Sequence, residues 1–292
     1  MTDMTDTFAP NPRLGLAFTL AGATLFVPDA LLVRLMAADT MDIAVWRGVI
    51  GGVVTLIATG LFAPQAFPTW RELFSWPSLL LITSQGLGSF LYLMALGHTS
   101  VANTMLLYAS SPFIAALMAY LVLGERLPRM TVLCMVAVFL GVLVIASGSL
   151  GGGALFGDSL ALINAAAAAG YYVILRHTSA RSLIVPAAIG YFATAALAYP
   201  FAPHQAFDAG QWALVSLNGS VGLAAGCALQ MIGPRHLPAA EVSMITMLEI
   251  VASPLLVWAV VGEAPATLSL IGGGVILAAL VTHGIWRLRR EV

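Results

Sequence analysis

From Leu14 to Trp286 the chain is a succession of long apolar runs separated by short polar or Gly/Pro punctuation. A helix that crosses the hydrocarbon needs roughly 20 mostly apolar residues. Ten segments qualify: Leu14–Met36, Ile43–Phe62, Trp76–Leu96, Val101–Leu123, Met130–Ser147, Ser159–Leu175, Ile184–Phe201, Trp212–Ile232, Ala239–Val261 and Thr267–Trp286. Each run is solidly apolar rather than alternating, which argues against a membrane β-barrel.

Composition supports the same reading. The 292 residues are 60% hydrophobic and 9% charged, with a mean hydropathy of +0.96. Soluble domains carry roughly 25% charged residues. The expected fold class is therefore all-α integral membrane. The stretch before Arg13 is polar and acidic. The apolar run after Arg13 is too long for a typical signal-peptide core, so it is expected to be kept as the first span.

Charge then orients the chain. All 12 basic residues are arginines. An even span count puts both termini on one side, taken as the cytoplasm. Arg13, Arg71, Arg126, Arg129, Arg176, Arg181, Arg235, Arg287, Arg289 and Arg290 then lie inside, and only Arg34 lies outside. That bias follows the positive-inside rule. The outer loops carry acids instead: Asp39, Asp42, Asp158, Asp208 and Glu263. A net charge of −1 and no basic cluster give no sign of a nucleic-acid partner. Cys134 and Cys227 lie inside apolar runs, which favours packing over a disulfide.

A Gly-rich stretch, Ser147–Asp158, divides the spans five and five. The expected organisation is a first repeat over residues 1–148, a linker at 149–157 and a second repeat over 158–292. "LVLGERLPR" (Leu121–Arg129) and "AVVGEAPAT" (Ala259–Thr267) both close the fourth span of their half with Gly-Glu. Setting these Gly-Glu pairs against each other aligns His98 with His236, Ala102 with Ala240, Tyr92 with Gln230 and Ser111 with Glu249. Five is odd, so two such copies must be inverted in the membrane. Inverted repeats are common in secondary transporters, with a substrate site near the midplane.

The stretch "LGSFLYLMALGHTSVANTMLLYASSPFIAALMAYLVLGERL" (Leu87–Leu127) resembles the EamA-type repeat of the drug/metabolite transporter superfamily. So does "GLAAGCALQMIGPRHLPAAEVSMITMLEIVASPLLVWAVVGEAP" (Gly222–Pro265). The shared features are a Gly-rich third helix, a short loop with His, Ser or Pro, and a fourth helix ending in Gly-Glu. The family's Leu-Glu-Pro-like motif is Leu248-Glu249-Ile250 in the second copy and Ser110-Ser111-Pro112 in the first, so each copy departs from it. The resemblance implies ten helices in two inverted five-helix repeats and transport of amino acids, drugs or other metabolites. Amino-acid exporters such as the YddG-like proteins are similar in size and span count.

There is no Walker A motif and no room for a nucleotide-binding domain, so transport would be passive or gradient-driven. The five histidines are scattered without metal-ligand spacing, and no Gly-x-Ser-x-Gly elbow is present. Neither a metal, a cofactor nor an enzyme is therefore expected. A membrane-embedded enzyme, a passive channel and a receptor remain the alternatives. A charge at the bilayer centre costs about 2.5–3.5 kcal/mol on insertion scales, so intramembrane polar groups face the protein interior. Glu249 reads as a proton-titrating or amine-binding group, or as a neutral tie between helices. Asp29 follows Pro28, a residue that interrupts helices, and is the second candidate for proton coupling. Gln85, Tyr92, Tyr108, Asn164, Tyr171 and Gln230 are the uncharged candidates for contact with substrate. Arg47, near the outer end of the second span, is expected to snorkel or to pair with Asp42 or Asp39. The expected partners are a small-molecule substrate and the lipid bilayer, and the chain is expected to work as a monomer in the cytoplasmic membrane.

Overall fold

The computed structural model describes residues 12–123, 129–149, 154–177, 183–232, 249 and 252–291, and these are helical almost throughout. Its elements are α1 (Pro12–Phe26), α2 (Asp29–Met36), α3 (Thr40–Phe62), α4 (Trp70–Leu73), α5 (Trp76–His98), α6 (Val101–Tyr108), α7 (Ser111–Leu123), α8 (Arg129–Ser149), α9 (Leu155–His177), α10 (Ile184–Ala198), α11 (Ala209–Leu217), α12 (Cys227–Ile232), α13 (Ala252–Val261) and α14 (Thr267–Glu291). A π-helical stretch, Asn218–Gly226, joins α11 to α12. Every segment expected to span contains helix among its described residues. Among the described residues, five helical stretches can cross a membrane by length and composition: Arg13–Met36, Thr40–Phe62, Trp76–His98, Ile184–Phe201 and Ala209–Ile232. The chain is an all-α, multi-pass membrane protein of two repeats.

Three spans are not uniform. Pro28 has no N–H to donate, so α1 ends at Phe26 and α2 restarts at Asp29. The Leu32 N–H returns to Pro28 O at 2.8 Å. The fourth span breaks between Tyr108 and Ser111, where the Ser110 hydroxyl donates to Leu107 O at 2.6 Å. The eighth span widens into its π turn over "NGSVGLAAG". There the glycines Gly219, Gly222 and Gly226 weaken the ordinary α ladder. π segments are rare and frequent at functional sites. The outer acids become caps and ties. Asp39 caps α3, accepting from Met41 N at 2.8 Å. Asp208 forms a capping box with Gln211, satisfying two orphan donors reciprocally. Asp42 accepts from the successive backbone N–H groups of His204 and Gln205 at 3.0 and 3.1 Å, which holds His204 at φ 56°.

Helix packing carries the inverted symmetry. The third span (α5) packs on the sixth and seventh (α9, α10), while the eighth (the π turn and α12) packs on the first and second (α1, α3). These two sets exchange under a five-span shift. The remaining large contacts, α3 with α10 and α8 with α14, join spans two to seven and five to ten, and so map onto themselves. Such a pattern is what a pseudo-two-fold axis between the halves produces. Small residues permit these crossings. A methyl group added at Gly48 would lie 2.6 Å from Tyr191 O, and one at Gly219 would lie 3.0 Å from Arg47 O. Large apolar side chains such as Ile57, Leu61, Leu133, Phe139 and Leu270 point outward, as lipid-facing surfaces require. The first- and second-half residues Leu93, Leu96, Leu107, Ile145, Val215 and Ile276 lie together in one buried core.

The α8–α14 crossing gives a direct test. A β-carbon at Gly272 would lie 2.5 Å from Gly141 O, whereas one at Gly274 meets nothing within 4 Å. Gly272→Ala is expected to lower stability by about 1–3 kcal/mol through overpacking. Gly274→Ala, on the lipid side, is expected to be neutral or stabilising by up to about 1 kcal/mol. Thermal unfolding of the purified protein in micelles distinguishes the two. Equal melting temperatures would show that the crossing is not tight.

Candidate functional site

The break at Pro28 places Asp29 at the first turn of α2, where the helix dipole favours an acid. It is 4% exposed. Its carboxylate is held from two spans. Arg47 of α3 donates from Nη1 to Oδ2 at 3.3 Å. Asn218 of the π turn donates from Nδ2 to Oδ1 at 3.0 Å and to the Asp29 carbonyl at 3.4 Å. Arg47 and Asn218 are themselves buried. The Arg47 guanidinium carbon sits 5.6 Å from the centroid of the Tyr92 ring on α5. That is a cation–π arrangement. Glu249 is helical and half-buried, and the Gln230 amide of α12 donates to its carboxyl group. Glu249 and Asp29 lie within electrostatic reach of each other and of Tyr92.

One locus therefore gathers side chains from five spans: Asp29 (first), Arg47 (second), Tyr92 (third), Asn218 and Gln230 (eighth) and Glu249 (ninth). Tyr92 and Gln230 occupy equivalent positions of the two repeats, and both approach Glu249. Three polar atoms of the locus are buried and close no hydrogen bond of ordinary length: Arg47 Nε, the Tyr92 hydroxyl and Asn218 Oδ1. Buried polar atoms are nearly always satisfied, so each such exception calls for an explanation.

The expectation for Arg47 is corrected here. It neither snorkels nor pairs with Asp42 or Asp39, because those two acids serve backbone N–H groups. Its partner is Asp29, 18 positions earlier on the neighbouring span. The other sequence candidates pack against neighbouring spans or the main core. Gln85 packs its Cβ and Cγ toward Gly190 of α10. Asn164 is buried with Oδ1 facing Gly88 of α5. Tyr171 reaches Cys227 Sγ at 4.0 Å. Tyr108 packs at the α6–α7 break against the main core. The Leu248 and Ile250 positions lie outside the described residues, as does the Gly124-Glu125 end of the first repeat. Arg47 and Asn218 were the residues hardest to single out. Their signal is an Asp and an Arg at similar depth on adjacent spans, joined by an Asn in a Gly-rich helix.

A second polar system ties the halves together at the other end of α2. Arg34 of α2 forms a 2.9 Å ion pair with Glu263, and donates to Leu96 O at 2.9 Å and Thr99 O at 3.1 Å. Glu263 also accepts from Val101 N at 2.8 Å. The buried Asp158 carboxylate accepts from Thr99 Oγ1 at 2.7 Å and from Asn103 Nδ2 at 3.1 and 3.2 Å, and Ser269 of α14 donates to Asn103 Oδ1. Gly157 makes the closeness possible, since a β-carbon there would lie 2.7 Å from the His98 backbone. Residues 262 and 263 turn through Gly262 at φ 80°, a backbone region that favours glycine. Among the described residues, no group of three or more His, Cys, Asp or Glu side chains is placed to hold a metal ion.

Breaking a buried ion pair by removing one partner costs roughly 3–5 kcal/mol, because the other charge is left uncompensated. Asp29→Ala and Arg47→Ala are each expected to destabilise on that scale. The double variant should lose clearly less than the sum of the two, as residues in direct contact do. Unfolding of the three variants in mixed micelles measures the coupling. Strictly additive losses would mean that the pair is not formed.

The comparisons with known proteins agree with this architecture. A model of the EamA-like transporter family matches residues 13–147 and again residues 155–283. No curated protein matches the chain significantly. A solved structure described as "Crystal structure of protein" superposes with a TM-score of 0.68 at 19% identity, covering 95% of this chain and 98% of that one. At that identity the likeness speaks for the fold alone. With one family match on each half and together nearly the whole chain covered, the protein belongs to the EamA-like transporter family.

Proposed function

We propose that the chain is a secondary transporter that exports small, fairly apolar metabolites from the cell, with amino acids as the leading class. It sits in the cytoplasmic membrane with both termini inside, and it works by alternating access as a monomer. The observation that carries this reading is the convergence of Asp29, Arg47, Tyr92, Asn218, Gln230 and Glu249, drawn from both repeats, on one buried polar locus. Transporters of inverted-repeat architecture hold substrate at such a midplane position between halves. A site with one arginine already engaged by an aspartate argues against phosphorylated substrates, which call for several free cations.

Alternating access is supported by the outer ties. Arg34–Glu263 and Thr99/Asn103–Asp158 join the first half to the second on the side that the arginine distribution assigns to the exterior. A substrate leaving by that side must part them. The buried network of neutral donors around Asp158 and the partly exposed Arg34 pair are polar contacts that water can replace on opening, so neither demands a large free-energy input.

Liposomes containing the purified protein are expected to show flux of labelled amino acids down an imposed gradient. The absence of flux for any small solute would sink the transport reading. Glu249→Gln should cut flux at least tenfold while leaving expression near normal. Unchanged flux would make Glu249 a structural tie. Labelling of single cysteines by an impermeant maleimide, added outside intact cells, reads both topology and closure. Ala264→Cys should react readily; reaction only after lysis overturns the topology. Ser269→Cys, at a position buried in the native protein, should label slowly, and faster once Glu263→Ala and Asp158→Asn are added. Equal rates would show that these contacts do not hold the outer end closed.

A further inference from the structure

The donors and acceptors left over at the central locus define a ligand. Asp29 is engaged by Arg47 Nη1 and Asn218 Nδ2. The Tyr92 hydroxyl faces Asp29 but closes no bond of ordinary length with it. What remains buried without such a bond is one cationic donor, Arg47 Nε–H, one hydroxyl that can donate, on Tyr92, and one acceptor, Asn218 Oδ1. The donor and acceptor roles follow from the side-chain chemistry. Glu249 adds a half-buried carboxyl group held only by Gln230 in the described hydrogen bonding. Two donors beside a guanidinium suit a carboxylate. An amide oxygen and a carboxylate suit an ammonium group. A β-carbon at Gly222, in the π turn, would lie 3.6 Å from Asp29 Oδ1, an ordinary contact distance.

On the transport reading, we infer that the locus reads the two ends of an amino-acid zwitterion separately: Arg47 Nε and the Tyr92 hydroxyl take the carboxylate, and Asn218 Oδ1 and Glu249 take the ammonium. Asp29 is a positioning residue, holding Arg47 and Asn218 so that their remaining polar atoms point away from it. Charge counting favours the zwitterion over either half of it. The locus holds one arginine and two acids. A simple anion meets an arginine already engaged and two carboxyl groups nearby. A simple amine is welcome to Glu249 but leaves Arg47 Nε and the Tyr92 hydroxyl desolvated and unmatched. A zwitterion offers an acceptor to Arg47 Nε and the Tyr92 hydroxyl and a donor to Asn218 Oδ1, and it also matches the charges of Arg47 and Glu249; sites with buried polar groups strongly reject analogues that leave them unpaired.

Binding to the purified full chain tests this with matched probes, read by ligand-induced thermal shift: L-phenylalanine, 2-phenylethylamine and 3-phenylpropionate, and in parallel L-leucine, 3-methylbutylamine and 4-methylpentanoate. Each amino acid is expected to bind at least tenfold tighter than its amine or its acid, the range that a lost charge-assisted hydrogen bond supports. Tyr92→Phe keeps the ring beside the guanidinium and removes only the hydroxyl. It should shrink the preference over the amine severalfold and leave the preference over the acid in place. Glu249→Gln should do the reverse. Arg47→Gln should abolish the preference over the amine where it folds, and the Tyr92 variant carries the test where it does not. An amine that binds as well as its amino acid, failure of both amino acids to bind, or unchanged selectivity in both Tyr92→Phe and Glu249→Gln would overturn the inference. Flux of some other solute in liposomes would then leave the transport reading standing, whereas absence of all flux would remove both.

Discussion

The Asp29–Arg47 pair is the constraint around which the rest of the structure is arranged. Moving either charge out of water costs several kcal/mol, and their attraction repays it only where geometry and further hydrogen bonds are good. The chain supplies those conditions by three separate devices. Pro28 interrupts the first span, so Asp29 begins a helix whose dipole favours its charge. Gly219 lets the eighth span approach the backbone of Arg47 closely enough to present Asn218. The Tyr92 ring lies against the guanidinium and shields it from lipid-like surroundings without demanding a second counter-ion. Each device would be a local liability elsewhere: a broken helix, a helix weakened by glycine, and a buried hydroxyl with no ordinary hydrogen bond. Violations of local rules that gather at one place are what functional or strained sites are expected to show.

Duplication with inversion explains why the locus is central and why it is unequal. The third and eighth spans hold equivalent places, each packed across two spans of the opposite half. Their equivalent residues Tyr92 and Gln230 consequently approach the middle from opposite directions. The equivalence ends at Ser111 and Glu249: Ser111 is fully packed at the α6–α7 break, and Glu249 is half-buried beside Gln230. The scaffold is thus close to two-fold, while its chemistry is one-sided. An aspartate and an arginine come from the first half, and a glutamate with its amide partner Gln230, together with Asn218, from the second. A site made this way cannot be completed by either repeat alone.

The apolar periods and the repeated Gly-Glu ends were enough to read an all-α membrane protein of two repeats, because membrane burial forces long uninterrupted runs. Glu249, Gln230, Tyr92 and Asp29 were also legible, since a polar group at that depth stands out. Arg47 was misread for a physical reason. Its position in the sequence suggested an interfacial depth, and the nearer acids, Asp39 and Asp42, were its obvious partners by spacing. Those acids are taken by backbone N–H groups that only the folded chain brings to them. The π turn was illegible for a related reason. Its glycines are equally expected at any close helix crossing, and nothing in their spacing separates a widened turn from an ordinary one. Gln85, Asn164 and Tyr171 lie against neighbouring helices, a placement that a polar side chain on a span does not reveal in the sequence.

The short helix α2 connects the two polar systems. Asp29 is its first residue and Arg34 its sixth. At roughly 1.5 Å of rise per residue the two lie about 7.5 Å apart along one axis, within a single rigid element. One end of α2 is fixed to the second and eighth spans through Arg47 and Asn218. The other end is fixed through Arg34 to Glu263 and to the backbone at Leu96 and Thr99, and through the Met36 carbonyl to Gln211 of α11 at 3.0 Å. The Pro28 break frees this helix from α1, so it need not carry the whole first span when it moves. On the transport reading, a displacement of Asp29 reaches Arg34 through this helix, and parting of the Arg34 contacts reaches the Asp29 carboxylate in turn. Linkage between two sites requires a shared element whose position both of them bias. The helix that restarts after Pro28 supplies it, which gives the placement of an aspartate and an arginine on the same short element a physical reason that neither charge has alone.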